Sequence, residues 1–327
     1  MAGTMRTLQV TGQRRFEIQD VAIPSPGPGE VLMRITAVTT CPQWDLHLRH
    51  NEPMFVGHRF HYPYTPGQPG HEATGYIEAV GPGVPELSPG DRVSAWRDPG
   101  HAAPGCYAQF VVHKAEDVIR VPDGLPDESL APLELAMCVG TVFRLLRTMD
   151  AVRGRVVGIA GAGSAGLISA QMARAEGAIE VIGFDPSPGR REAAVRLGFD
   201  SCHDPNTVGT SAFPLRTGGS RLQTSIDCVG AKAAAEFLMD RTRDVVALFG
   251  VQREDFTFAV RHHSLTLCGY KGHHRESAEY AVRLITEGKL DLAPLVTHRL
   301  PLERYDEGID LLERQEAVKV CFLPWAT

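Results

Sequence analysis

The stretch RVVGIAGAGSAG, residues 155–166, constrains the fold of this chain more than any other. An apolar strand pattern runs into G-x-G-x-x-G, and a helical pattern takes over from about 165 to 176. Gly161 permits a tight turn, Gly163 lets backbone approach a pyrophosphate, and Gly166 lets the helix pack close to the strand. Ser164 and Ala165 lie at the helix N-terminus, where free N–H groups and the helix dipole favour phosphate. Further segments keep the alternation going: IEVIGFD (179–185), a helix over 188–197, a short strand near Phe199, TSIDCVG (224–230), VVALFG (245–250) and LTLCGY (265–270). Strands alternating with helices predict a doubly wound parallel sheet. Asp185 ends the second strand, where a carboxylate accepts from the adenosine ribose hydroxyls and repels a 2′-phosphate. The expected cofactor is therefore NAD rather than NADP. Arg190 and Arg191 soften that preference, since an arginine can hold a phosphate or stack on adenine.

The first 120 residues read differently. EVLMRITAV (30–38), ATGYIEAVG (73–81), DRVSAW (91–96) and YAQFVVH (107–113) alternate as half-buried strands, cut by glycine and proline. PSPGPGEV (24–31) reads as a loop held open by rigid prolines. LELAMCVGTVFRLLRTM (133–149) carries helical spacing into the alternating region. The tail, from Leu295, reads strand, helix, strand. Six strands of the parallel sheet are complete by about Gly272, so the tail is expected to return to the first domain. The domains expected are thus 1–130 with 292–327, mostly β, and 131–291, dinucleotide-binding.

A chain of 327 residues fits two domains. Its net charge of −6, with arginines dispersed, gives no electrostatic case for nucleic acid or an anionic membrane surface. No run of eighteen apolar residues is apparent, so no membrane span is expected. MAGTMRTLQV lacks an apolar signal core and reads as the start of a strand, which favours the cytoplasm. Seven scattered cysteines form no CxxC pair, so a disulfide framework is not expected.

Cys41, His71 and Glu72 all precede the glycine-rich turn, and Asp45 and His47 lie close to Cys41 in CPQWDLH. Thiolate, imidazole and carboxylate are the donors a tetrahedral zinc takes, with one position left for water or substrate. A metal there would acidify an alcohol, and a nicotinamide would accept the hydride. Ordinary core or turn residues remain the other reading of that spacing.

PSPGPGEVLMRI (24–35), Cys41 with the DLH that follows, PGHEATGYIEAVGPGV (69–84), GDRV (90–93), YAQFVV (107–112), GAGSAG, IDCVG (226–230) and LVTHRLPLERYDEGIDLL (295–312) together resemble the zinc-type alcohol and polyol dehydrogenases of the medium-chain dehydrogenase/reductase superfamily. The resemblance covers nearly the whole chain. It implies a GroES-like catalytic domain, a Rossmann cofactor domain and a cleft between them. It assigns Cys41 and His71 as ligands of one catalytic zinc, with Glu72 a carboxylate that can approach or exchange on the metal. Glu134 is the favoured third protein ligand, and Cys138, one helical turn on, is the alternative. Nicotinamide is expected near Val229, Phe249 and Gly250. The resemblance also implies a small alcohol, polyol or carbonyl substrate and a homodimer or homotetramer.

Two departures stand out. Typical members read C-G-[ST]-D-x-H, whereas this chain has CPQWDLH, with one extra residue and no small hydroxyl to pass the alcohol proton outward. Asp45 or His47 could serve instead through water, or could be loop structure, and Trp44 could line the substrate pocket or plug the core. The four-cysteine zinc lobe is also absent: only SAWRDPGHAAPGC follows GDRV, with Cys106 its single cysteine, so no structural zinc is expected. The leading expectation is an NAD- and zinc-dependent alcohol or polyol dehydrogenase. The alternatives are a zinc-free quinone or enoyl reductase of the same superfamily and a non-catalytic dinucleotide-binding protein. The histidine- and tyrosine-rich loop FVGHRFHYPY (55–64) hints at a polar substrate, and the doublets His262–His263 and His273–His274 read chiefly as surface loops.

Overall fold

The computed structural model describes residues 3–55 and 57–326. The chain divides into two compact units. One runs to Leu135 and resumes at Leu292, and the other is Ala136–Asp291. The division falls within the Leu133–Thr148 helix.

In the first unit the strand Glu30–Thr39 is central and almost wholly buried. It pairs antiparallel with Glu72–Val80, with Phe110–Lys114 and with the tail strand Lys319–Leu323. The tail strand Val296–Pro301 pairs parallel with Lys319–Leu323, so the tail does complete this sheet. In this register Thr39 stands opposite Glu72 on one side and Cys321 on the other. Three distant segments therefore meet at the end of one strand, directly before Cys41. Leu8, Met33, Ile35, Leu48, Ile77 and Phe322 are among the side chains of the core beneath.

The second unit is a six-stranded parallel sheet. Its spatial order is Ser201–His203, Glu180–Phe184, Val156–Ala160, Leu222–Asp227, Thr242–Leu248, Thr266–Gly269. Sequence order reverses between Val156–Ala160 and Leu222–Asp227, which is where such sheets open a ligand crevice. Ile182, Phe184, Phe213, Leu222 and Val246 belong to its buried core.

Two local readings change. CPQWDLH is helical, not loop: Pro42–His50 is an α-helix with Cys41 as its N-cap and Pro42 in the first turn, where a missing N–H costs nothing. The strand expected over 107–113 begins only at Phe110, although Ala108 bridges to Thr7. Asp127–Thr148 is long and apolar enough to span a bilayer by length and composition alone, although Glu134 and Arg144 interrupt its apolar run. Its most apolar window is 83% buried within the protein, as in a core helix of a folded domain.

Candidate metal centre

Cys41 leaves the end of the Glu30–Thr39 strand, and His71 and Glu72 enter the paired strand. That placement brings Cys41 Sγ, a His71 nitrogen and a Glu72 oxygen within 4.8 Å of one another. His71 Nδ1 lies 2.8 Å from the Pro69 carbonyl, a fit for an Nδ1–H donor, which leaves Nε2 as the ligating nitrogen. Glu134 Oε2 lies 3.8 Å from that Nε2, and both side chains are buried. Burial alone would lower the basicity of His71. The Cys41 thiol, Asp98 and Glu134 outweigh it and hold the imidazole well above its usual range. Acidic groups gathered around one nitrogen make a position suited to a cation, and the S, N and O donors suit zinc.

Glu72 is held from behind. Lys319 Nζ donates to both its carboxylate oxygens at 2.6 Å and to the Thr40 carbonyl at 2.7 Å. Thr39 Oγ1 adds a bond of 3.0 Å to Oε2. Lys319 and Glu72 are 0% and 1% exposed, so this is a fully desolvated ion pair. Burial raises the Glu72 carboxyl against the opposing pull of Lys319. The sequence gives one signal of it: a lysine inside the apolar run AVKVCFL.

Asp45 is also fully buried. It accepts from the Cys41 backbone N–H at 2.9 Å, the Tyr107 hydroxyl at 3.0 Å and the Tyr305 hydroxyl at 2.9 Å. Burial is the largest influence and pushes its carboxyl up to about 6. The arrangement resembles a capping box, in which a carboxylate reaches back to the N-cap and complements the helix dipole. Its role here is to fix the Cys41 backbone. His47 turns Nδ1 toward the carbonyls of Glu52 and Pro53, at 3.2 and 3.1 Å. Trp44 is partly buried against the core and stacks on His101, with ring centroids 3.6 Å apart. The Cys138 thiol accepts from the Tyr270 hydroxyl at 3.0 Å.

In the second unit the glycine pattern has three different causes. Gly161 has φ +89°, a backbone that favours glycine. A Cβ on Gly166 would lie 1.8 Å from the Gly161 carbonyl oxygen, so helix and turn touch there. A Cβ on Gly163 would meet nothing within 4 Å, so open space lies beside the N-terminus of the Ser164–Ala175 helix, whose N-cap, Gly163, has no side chain to cap the N–H groups. Ser164 and Ala165 form that helix's first turn. Asp185 is buried and accepts from Ala162 N at 2.9 Å and Ser187 N at 2.8 Å. Arg190 lies in the helix that follows, half-buried, and Arg191 turns back onto the Asp185 and Pro186 carbonyls. Asp227, not singled out from the sequence, accepts from Val229 N at 2.9 Å and Gln252 Nε2 at 2.7 Å, while its carbonyl takes the Phe249 and Gly250 N–H groups. It thereby gathers Val229, Phe249 and Gly250 at the carboxyl ends of adjacent strands. His262 is buried with Nε2 2.8 Å from Asp240 Oδ1, a structural role.

The chain is similar to known proteins over both units. Residues 27–123 match the alcohol dehydrogenase GroES-like domain and residues 165–287 match the zinc-binding dehydrogenase domain. L-threonine 3-dehydrogenase of Pyrococcus abyssi is 30% identical over 99% of this chain and 98% of its own. Human sorbitol dehydrogenase is 28% identical over 96% and 94%. Galactitol-1-phosphate dehydrogenase of Escherichia coli superposes with TM-score 0.84 at 24% identity, over 98% of this chain and all of that one. 2R,3R-butanediol dehydrogenase of Bacillus subtilis superposes equally well, at 21% identity over 98% and 99%. A GroES-like unit carrying Cys41 and His71, a Rossmann unit carrying GAGSAG, and relatives matched end to end place this chain in the zinc-type medium-chain dehydrogenase/reductase family, as an oxidoreductase.

Proposed function

We propose that this chain is a zinc- and NAD-dependent dehydrogenase that moves a hydride between the carbinol carbon of an alcohol or polyol and the nicotinamide. The observation that carries the reading is the convergence of Cys41, His71 and Glu72, with Glu134 beside His71. Cys41, His71 and Glu134 would hold one zinc, and Glu72 would approach it as Lys319 allows. Zinc supplies a Lewis acid that makes an alcohol hydroxyl easier to deprotonate. The protein's own part is to keep the donors in place. Asp45 anchors the Cys41 backbone, the Pro69 carbonyl orients His71, and Lys319 with Thr39 restrains Glu72.

The uncapped N-terminus at Ser164 and the space beside Gly163 suit a pyrophosphate. Asp185 supports NAD over NADP. Two of its lone pairs are taken by backbone N–H groups, and a carboxylate has about four to offer, so ribose hydroxyls can still be received. The alcohol or polyol class is supported by relatives named for threonine and for sorbitol. A cytoplasmic setting fits seven cysteines of which none forms a disulfide among the described residues. A homodimer or homotetramer is the expected assembly.

The test is zinc per chain, by elemental mass spectrometry on protein purified without added metal or chelator, alongside NAD reduction with an alcohol panel. One equivalent, lost in Cys41→Ala and His71→Ala together with turnover, is the expected result. Protein that binds NADH, holds no zinc and reduces quinones or enones would sink the reading in favour of a zinc-free reductase.

A further inference from the structure

The short segment that replaces the four-cysteine lobe is rigidly held. Gln68 Nε2 donates to the Ala103 carbonyl at 3.0 Å, and Thr65 Oγ1 donates to the His101 carbonyl at 2.6 Å. Gly67 and Gly105 are in such close contact that a Cβ on either would lie 2.1–2.3 Å from the other's carbonyl oxygen. The segment is thus pinned to the turn that leads directly into His71. Two of its polar side chains, Asp98 and His101, lie together. Asp98 Oδ1 accepts from the Gly100 N–H at 2.8 Å, and Oδ2 lies 3.3 Å from His101 Nε2. The His101 ring lies over Trp44, and its centroid is 6.5 Å from that of His71.

Both ring nitrogens of His101 are buried, and among the described residues neither has a hydrogen-bond partner, Asp98 Oδ2 standing 3.3 Å from Nε2 as an ion-pair contact. A buried polar atom left without a partner is costly, and in a rigid segment beside an active centre it marks a place for a ligand. The groups expected from the sequence are occupied otherwise: Asp45 by two tyrosines and the Cys41 N–H, His47 Nδ1 by two carbonyls.

We propose that Asp98 and His101 form a substrate-binding pair in which His101 Nδ1 accepts a hydrogen bond from a hydroxyl of the bound alcohol. This rests on the alcohol dehydrogenase reading above. Asp98 draws the proton to Nε2, and a neutral imidazole protonated there is an acceptor at Nδ1. The pair therefore recognises an O–H and not a bare carbonyl. It supplies a hydroxyl-accepting group in a chain whose CPQWDLH segment lacks the family's small hydroxyl. The loss of the lobe and the altered cysteine segment then become two halves of one change.

The test compares wild type with His101→Phe, which keeps a ring on Trp44 but removes Nδ1, and His101→Asn, whose amide oxygen can sit near the Nδ1 position. Zinc content and NADH affinity are measured on each. With 2,3-butanediol, sorbitol and L-threonine as probes, H101F should raise KM roughly tenfold with little change in kcat, and H101N should stay within about threefold of wild type. Independently of turnover, the 15N resonance of His101 Nδ1, assigned by its loss in H101N, should shift when a probe alcohol is added. Unchanged KM in H101F, equal damage in both variants, loss of zinc in both, or a resonance that none of the probes moves would each overturn the proposal. A wild type that oxidises no alcohol would instead refute the dehydrogenase reading, and the resonance would still decide whether the pair binds a hydroxyl.

Discussion

Replacing Lys319 with methionine should be among the most damaging single changes in the first unit. Methionine keeps much of the volume and removes three hydrogen bonds and one charge. Glu72, 1% exposed, would keep only the Thr39 hydroxyl among the described residues. Removing one partner of a buried ion pair costs about 3–5 kcal/mol, because the other charge stays behind in a medium that cannot solvate it. That is a factor of roughly 10² to 10³·⁵ in the unfolding constant at 1.4 kcal/mol per decade, and about 6–20 °C in Tm at 2–4 °C per kcal/mol. All three tryptophans, Trp44, Trp96 and Trp325, lie in the first unit, so their fluorescence during urea unfolding reports on that unit. The protein should be treated with chelator first, since a bound cation would supply the missing countercharge. The double variant Glu72→Gln with Lys319→Met removes the stranded charge and should recover about 2 kcal/mol or more of the loss, a coupling typical of residues in direct contact. A loss below about 1 kcal/mol in K319M, or strictly additive losses in the double variant, would refute the argument that the pair is interdependent.

Other outcomes follow from the same geometry. Glu134→Gln should weaken zinc binding at least about tenfold, whereas Cys138→Ser should leave zinc content unchanged, as read by chelator competition. Gly163→Ala should unfold within ~1 kcal/mol of wild type yet bind NADH at least about tenfold more weakly, because its Cβ enters open space. Gly166→Ala should lose about 1–3 kcal/mol or more in denaturant, because its Cβ meets the Gly161 carbonyl at 1.8 Å. His113 is fully buried beside Cys106, and burial lowers its pKa from 6.5 to about 4. The unfolded chain therefore binds the extra proton more readily, and the contribution of His113 is present above pH 6.5 and lost as pH falls toward 4. At 1.36 kcal/mol per unit this is about 3 kcal/mol, and His113→Leu should flatten the stability curve across that window relative to wild type.

What could be read from the sequence was local. GAGSAG after an apolar strand states its own steric needs, since a positive φ at Gly161 and a carbonyl against Gly166 depend on residues a few positions away. The return of the tail was legible for a similar reason, because the parallel sheet had already used its six strands. CPQWDLH was harder. Its helix is set by Pro42 in the first turn and by Asp45 reaching back to Cys41, and that carboxylate needs Tyr107 and Tyr305 to be buried at all. Those partners lie 62 and 260 residues away. Lys319 and Glu72 are 247 residues apart and meet only because Thr39 pairs with Glu72 on one side and Cys321 on the other. The donors of the centre thus come from short segments with family signatures, while the groups that hold them come from strand register. A search for motifs alone finds Cys41 and His71 but misses Lys319, Asp98 and His101, because a lysine in a tail strand or a histidine in a short loop gains its meaning only from what the sheet places beside it.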